Sequence, residues 1–175
     1  MLLLGGARSG KSSLAVRLAR ESGRPVTFVA TATASDDEMA ARIAQHRGDR
    51  PPGWATVEEP LELERAVREA AADAMLVVDC LSLWVANAFE AAGDDSDIEA
   101  EARAAAATAA ARSAPTVAVS NEVGLGIVPM SPLARRYRDV LGRVNSVWAA
   151  AADETAFVVA GKVLPLVSAE TLLRD

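Results

Sequence analysis

A chain of 175 residues, 51% of them apolar, is long enough to bury a core without disulfides or a structural metal. Its formal charge of −6 excludes a broad nucleic-acid-binding face, which would be basic, but leaves room for a local basic pocket. The single cysteine, Cys80, cannot form an internal disulfide, and no apolar run approaches the roughly 20 residues of a membrane span. The opening residues carry no basic leader or cleavage site, so the expectation is one soluble, cytoplasmic domain over 1–175.

Short apolar runs alternate with longer segments rich in alanine, arginine and glutamate, the pattern of an α/β domain with a mainly parallel sheet. The runs predict strands at Leu2–Leu4, Val26–Ala30, Met75–Asp79, Thr116–Ser120 and Thr155–Ala160, with a last strand at Val163–Val167. The segments between them predict helices at Lys11–Glu21, Asp36–His46, Leu61–Ala72, Ser82–Ala91, Asp97–Ser113 and Ser131–Ala152. "HRGDRPPGW" reads as a loop because its prolines and glycines forbid a continuing helix, and the acidic "AAGDDSD" reads as a surface connector.

The first strand runs into "GGARSGKS", which satisfies G-x-x-x-x-G-K-S with Gly5, Gly10, Lys11 and Ser12. Glycines at both ends let successive backbone N–H groups converge on phosphate oxygens, and the following helix directs its positive end at the same anion. Lys11 suits the β- and γ-phosphates, and the Ser12 hydroxyl suits Mg²⁺. An ordinary glycine turn is the alternative. Against it, Lys11 and Lys162 are the only lysines of the chain, arginine supplying every other strong base. "MLVVDC" places Asp79 at the end of a strand, where an aspartate either holds the metal of a bound nucleotide or caps the next helix.

Ser35 and Glu38 have the spacing of a capping box opening the helix "DDEMAARIAQH". Met39, Ile43 and the only histidine, His46, share one face of that helix, expected to pack inward. A helix-terminal histidine is favoured by the helix dipole alone. A neutral imidazole can also attack an α-phosphorus and expel pyrophosphate, with Arg47 and Arg50 neutralising charge beside it. The pattern leaves both readings open.

Further blocks follow in order: "ATATASDDEMAARIAQHRGDRPPGWATVEEP", "VVDCLSLWVAN", "SNEVGLGIVP", "LARRYRDVLGRVNS" and "AAADETAFVVAG". Together with the phosphate loop they make nearly the whole chain resemble the bifunctional adenosylcobinamide kinase/adenosylcobinamide-phosphate guanylyltransferase family of cobalamin biosynthesis. The resemblance implies a P-loop NTPase domain related to the recombinase ATPases and assembled as a homotrimer. It also implies two reactions on adenosylcobinamide. A nucleoside triphosphate, ATP or GTP, phosphorylates the aminopropanol hydroxyl; GTP then transfers GMP to that phosphate, giving adenosylcobinamide-GDP.

By the same resemblance His46 is the residue that becomes guanylylated. Nucleotide contacts map onto Gly5, Gly6, Ala7, Arg8, Ser9, Gly10, Lys11 and Ser12, onto Thr31, Ala32 and Thr33, onto Arg47, Gly48, Asp49 and Arg50, and onto Glu58 and Asp79. Lys11 and Asp79 join His46 as catalytic residues, with Ser12 and Asp79 on Mg²⁺. Asn121 and Glu122 suit a γ-phosphate sensor or a purely structural turn, and Gly124, Gly126 and Pro129 shape the backbone after them.

Two departures stand out: few residues precede the phosphate loop, and "GKVLPLVSAETLLRD" is longer and more acidic than the family's usual ending. The rival readings are a monofunctional small-molecule kinase or guanylyltransferase and a regulatory GTP switch. The switch wants an N-K-x-D motif that the chain lacks. A DNA-dependent ATPase, suggested by fold alone, conflicts with the acidic charge.

Overall fold

The computed structural model describes residues 1–34, 36–48 and 50–173. Seven strands form one sheet, taken here in chain order: β1 (Leu2–Gly5), β2 (Val26–Ala30), β3 (Ala55–Glu58), β4 (Met75–Asp79), β5 (Thr116–Val119), β6 (Thr155–Val159) and β7 (Lys162–Leu166). Their spatial order is β3-β2-β4-β5-β1-β6-β7, parallel throughout except for the antiparallel β6–β7 hairpin. Six helices connect them: α1 (Lys11–Glu21), α2 (Asp37–Gly48), α3 (Leu63–Glu69), α4 (Leu81–Glu90), α5 (Asp95–Ala110) and α6 (Pro132–Ala151). This is the expected mainly parallel α/β architecture, and no helix among the described residues is long and apolar enough to cross a membrane.

Strand alternation divides the core between the two faces of the sheet. Leu2, Leu4, Leu76 and Val78 point to one face, where Leu63 and Val67 of α3, Trp84 of α4, Ala102 and Ala105 of α5 and Leu141 of α6 cover them. Leu3, Met75 and Val77 point to the other, against Ala15 and Ala19 of α1 and Phe28 of β2. Every strand flanked on both sides therefore needs apolar residues at consecutive positions, which is why those strands read as unbroken runs. The alanines of α5 serve packing rather than bulk: with Ala102, Ala105 and Ala106 buried at helical spacing, the helix lies close to α3 and α6.

The structure departs from the sequence pattern where local chemistry overrides periodicity. β3 is not predicted, because "ATVE" is short and all four residues are exposed; it exists through edge pairing with β2. α3 stops at Glu69 rather than reaching Ala72, since Ala70 turns extended. The cause lies in Arg112, whose Nη1 donates to the carbonyls of Val67 (3.3 Å) and Ala70 (3.0 Å) and whose Nη2 donates to those of Ala71 and Ala74 (both 2.8 Å). One planar guanidinium thereby binds two carbonyls at the end of α3 and two of the turn that follows it. α5 starts at Asp95, two positions before the predicted Asp97, because the Asp94 side chain accepts from Ser96 N at 3.1 Å and caps it. Ser35 of the expected capping box lies outside the described residues; Asp36 Oδ1 accepts from Met39 N at 2.7 Å.

Arg112→Ala should cost about 2–4 kcal/mol of stability, the scale of losing several charge-assisted hydrogen bonds to helix-end carbonyls. Urea unfolding measures it. Arg112→Lys should recover less than half, since a point ammonium cannot span four carbonyls, and a loss below about 0.5 kcal/mol for alanine would contradict the role.

Candidate active site

β1 lies inside the sheet, and the chain leaves its C-terminal end through Gly6–Gly10 into α1. Gly5 (φ +151°) and Gly10 (φ +99°) adopt backbone conformations that side chains disfavour, and a Cβ on Gly5 would run into the Val158 carbonyl oxygen. Gly161 N donates to Ser9 O at 2.9 Å, tying the loop to the β6–β7 hairpin. Lys11 is only 5% exposed; its Nζ donates to Gly5 O (2.9 Å), Gly6 O (2.7 Å) and Ser9 Oγ (3.4 Å). Burial lowers the ammonium's pKa, and the neighbouring Cys80 and Asp79 oppose that shift.

Across the loop, Ser12 Oγ donates to Asp79 Oδ1 at 3.1 Å, joining the first turn of α1 to the end of β4. Burial pushes the Asp79 carboxyl above the usual carboxylate range, while the Ser12 bond and the charges of His46, Arg50 and Lys11 pull it back. Asp79 does not cap α4: Cys80 holds the N-cap position, without a side-chain cap hydrogen bond. Burial and the adjoining Asp79 push the Cys80 thiol up to about 11, so it stays protonated at neutral pH and is no nucleophile.

These groups open into a cavity of about 490 Å³. It is lined by Ala7 to Ser13, by Asp79 and Cys80, and by Met39, Ile43, His46 and Arg47 of α2 with Arg50 and Glu58. The stripe of α2 expected to pack inward thus covers the cavity instead, and neither Met39 nor Ile43 belongs to the core clusters. Arg47 is ion-paired with Glu58. The Arg50 guanidinium stacks over the Phe28 ring at 3.8 Å, and its Nε and Nη1 are buried without a hydrogen-bond partner among the described residues. Burial lowers its pKa, and the Asp79 charge counters the shift. A cation held with unfilled donors on the wall of a cavity suits an anionic ligand.

Not every expected residue meets the cavity. Thr31 is fully buried, donating to Cys80 O (2.7 Å) and accepting from Cys80 N (2.9 Å), so its hydroxyl locks β2 to β4. Thr33 Oγ1 donates to Asn87 Oδ1 at 3.1 Å, and only Ala32 of the Thr31-Ala32-Thr33 segment lines the cavity. Gly5 and Gly6 contribute through the carbonyls that hold Lys11, Gly48 is not on the wall, and Asp49 lies outside the described residues. Asn121 lines the cavity, whereas the Glu122 carboxylate accepts from Gly124 N and closes its own turn. Ser13, Gln45, Leu83 and Val119 also line it; the first two adjoin expected residues in the chain but at spacings that share no helix face, and nothing in the sequence singles out any of the four.

The oxygen pair of Ser12 and Asp79 fits a hard divalent cation such as Mg²⁺, which would share its remaining sites with phosphate and water. Among the described residues no cluster of three or more histidine, cysteine, aspartate or glutamate side chains could cage a metal alone.

The model of the cobinamide kinase/cobinamide phosphate guanyltransferase family matches residues 1–166. The bifunctional adenosylcobalamin biosynthesis protein CobP of Pseudomonas aeruginosa is 46% identical over 166 residues, covering 94% of this chain and 95% of that one. The corresponding CobU protein of Escherichia coli is 41% identical over 174 residues, covering 92% and 96%. A solved structure from Pyrococcus horikoshii shares the fold at a TM-score of 0.54 and 9% identity, covering 97% of this chain and 87% of that one. With a phosphate loop, a strand-end aspartate and a histidine on one cavity, and with the match spanning almost every element of the sheet, the chain belongs to the cobinamide kinase/cobinamide phosphate guanyltransferase family.

Proposed function

We propose that this one cavity performs both reactions of the family, with His46 as the residue that carries GMP between them. The chain is a bifunctional cobinamide kinase and cobinamide phosphate guanylyltransferase, using nucleoside triphosphates as substrates. The observation that supports a shared site is that His46 and the phosphate loop line the same 490 Å³ space, the size of a single small-molecule site.

In the kinase step the loop N–H groups and Lys11 hold the β- and γ-phosphates. The acceptor hydroxyl oxygen bonds to the γ-phosphorus, the bond from that phosphorus to the β-phosphate oxygen breaks, and the hydroxyl proton passes to an oxygen of the transferred phosphate. Lys11 then neutralises charge as it moves to the leaving β-phosphate oxygen. A Mg²⁺ on Ser12 and Asp79 would supply further neutralisation at those oxygens. In the guanylyl step a neutral imidazole nitrogen of His46 attacks the α-phosphorus of GTP. An N–P bond forms, the bond to the β-phosphate oxygen breaks, and pyrophosphate leaves from the loop that holds it. A phosphate oxygen of adenosylcobinamide phosphate next displaces the histidine, so the N–P bond breaks and the imidazole returns neutral. Arg50, with unfilled donors on the cavity wall, neutralises the phosphoryl group in transit.

His46→Ala should abolish covalent labelling by α-labelled GTP and reduce guanylyl transfer at least a hundredfold, while kinase turnover stays within a few-fold. Denaturation with acid and with base distinguishes the bond, since a phosphoramidate is acid-labile and base-stable. Loss of both activities in a folded variant, or an undiminished label, would sink the division of labour.

Asp79→Asn separates stability from binding. A carboxyl raised above its unfolded value favours the folded state fully below the unfolded pKa and loses that contribution as pH rises through the folded value. Where it ionises, the carboxylate is therefore a burden on the ligand-free protein. The neutral amide should raise Tm by about 2–4 °C, the shift that ~1 kcal/mol produces in a chain of this size. Triphosphate affinity in the presence of Mg²⁺ should fall tenfold or more, and its decline toward acid pH, present in the parent, should flatten. An unchanged affinity measured by calorimetry would remove Asp79 from the binding role.

A further inference from the structure

β5 ends at Val119, and the chain then forms a loop over residues 120–131 before α6. Both ends of this loop are fastened. Glu122 N donates to Gly5 O at 3.0 Å, which sets the loop against the root of the phosphate loop. The buried Asn145 of α6 donates from Nδ2 to Asn121 O at 3.0 Å and accepts from Ser120 Oγ at 2.6 Å. At the far end Arg135 Nη1 donates to the carbonyls of Pro129 (2.9 Å) and Met130 (2.7 Å). Between the fastenings the loop presents its largest apolar side chains to solvent: Leu125 is 80% exposed, Ile127 97% and Met130 92%, with Val128 and Leu133 beside them. Contiguous exposed apolar groups on a fixed backbone mark a binding surface rather than a random coil.

We infer that this loop is the platform for the corrin macrocycle of the acceptor, the wide apolar ring of cobinamide resting on Leu125, Ile127 and Met130. The inference rests on reading the phosphate loop as the reacting end. The reacting hydroxyl, and later its phosphate, must reach the phosphorus held at Lys11, but a cavity of about 490 Å³ that takes a nucleotide has no room for a macrocycle as well. The bulk of the acceptor therefore lies on the rim. On the α2 side the lining mixes Met39 and Ile43 with His46, Arg47, Arg50 and Glu58, and those four ionisable groups suit the nucleotide. On the other side Asn121 leads from the cavity wall directly into the apolar loop. The corrin's hydrocarbon ring, fringed by neutral amides, matches the apolar side chains of the loop better than a surface carrying four ionisable side chains. The loop bonds to the carbonyl of Gly5, so an acceptor seated on it has a fixed position relative to the phosphates, and the same seat serves both reactions.

Equilibrium dialysis of adenosylcobinamide against the full chain, read by the visible absorbance of the corrin, tests this without nucleotide. The triple variant Leu125→Ser, Ile127→Ser, Met130→Ser should raise Kd at least tenfold. A matched variant at the remote β7 edge, Leu164→Ser with Val167→Ser, removes exposed apolar groups too and should stay within twofold of the parent. An unchanged Kd in the loop variant, or equal losses in both, overturns the platform. So does a loop variant that loses mass by light scattering at unaltered Kd, which would make the patch a contact between copies of the chain. Dialysis involves neither GTP nor His46, so a failed platform leaves the labelled histidine standing, and a failed label leaves the platform standing.

Discussion

A lysine ammonium buried at the end of an interior strand is the constraint around which this molecule is organised. Removing a charge from water is costly unless fixed dipoles replace the lost hydration. Lys11 has such dipoles in the carbonyls of Gly5 and Gly6 and the hydroxyl of Ser9, all from its own loop. Those carbonyls converge only because Gly5 adopts a backbone angle and a proximity to Val158 that a side chain would forbid. Val158 is in turn fixed by the pairing of β6 with β1. The loop's shape therefore depends on the middle of the sheet, and the sheet's middle depends on apolar runs that bury both faces.

The cavity concentrates positive charge in a chain that is acidic overall. Lys11 and Arg50 carry pKa values lowered by burial, and Asp79 is raised by the same cause. Each group is held in a state that a polyanion with its cation would relieve: phosphate favours the charged lysine and arginine, and a divalent ion favours the ionised aspartate. The site is built for a ligand that brings both signs of charge together. An acidic exterior adds to this by leaving the cavity as the place where anions concentrate.

How much was legible in the sequence followed how local each interaction is. The phosphate loop could be read because its chemistry lies within a few consecutive residues, and the position of Asp79 because a strand end is visible as the end of an apolar run. The direction of the α2 stripe could not, since Met39 and Ile43 look the same whether they face a core or a cavity wall. Arg50 over Phe28, Thr31 locked to Cys80 and Arg112 ending α3 are pairings across the fold, and no spacing announces them. β3 escaped for the opposite reason: a four-residue edge strand with every side chain exposed has no apolar signature at all.

On the proposed reading, one loop serves two chemistries without being rebuilt. Holding the triphosphate at Lys11 fixes both the γ- and the α-phosphorus along one bound chain. Which of them reacts is then decided by the nucleophile presented, a hydroxyl from the acceptor side of the rim or the imidazole from the α2 side. The loop does not need to distinguish the two, because in either reaction the departing group is a phosphate oxygen it already neutralises. On the same proposed reading, selectivity is divided between the α2 side, where His46 takes up GMP, and the apolar loop that seats the acceptor.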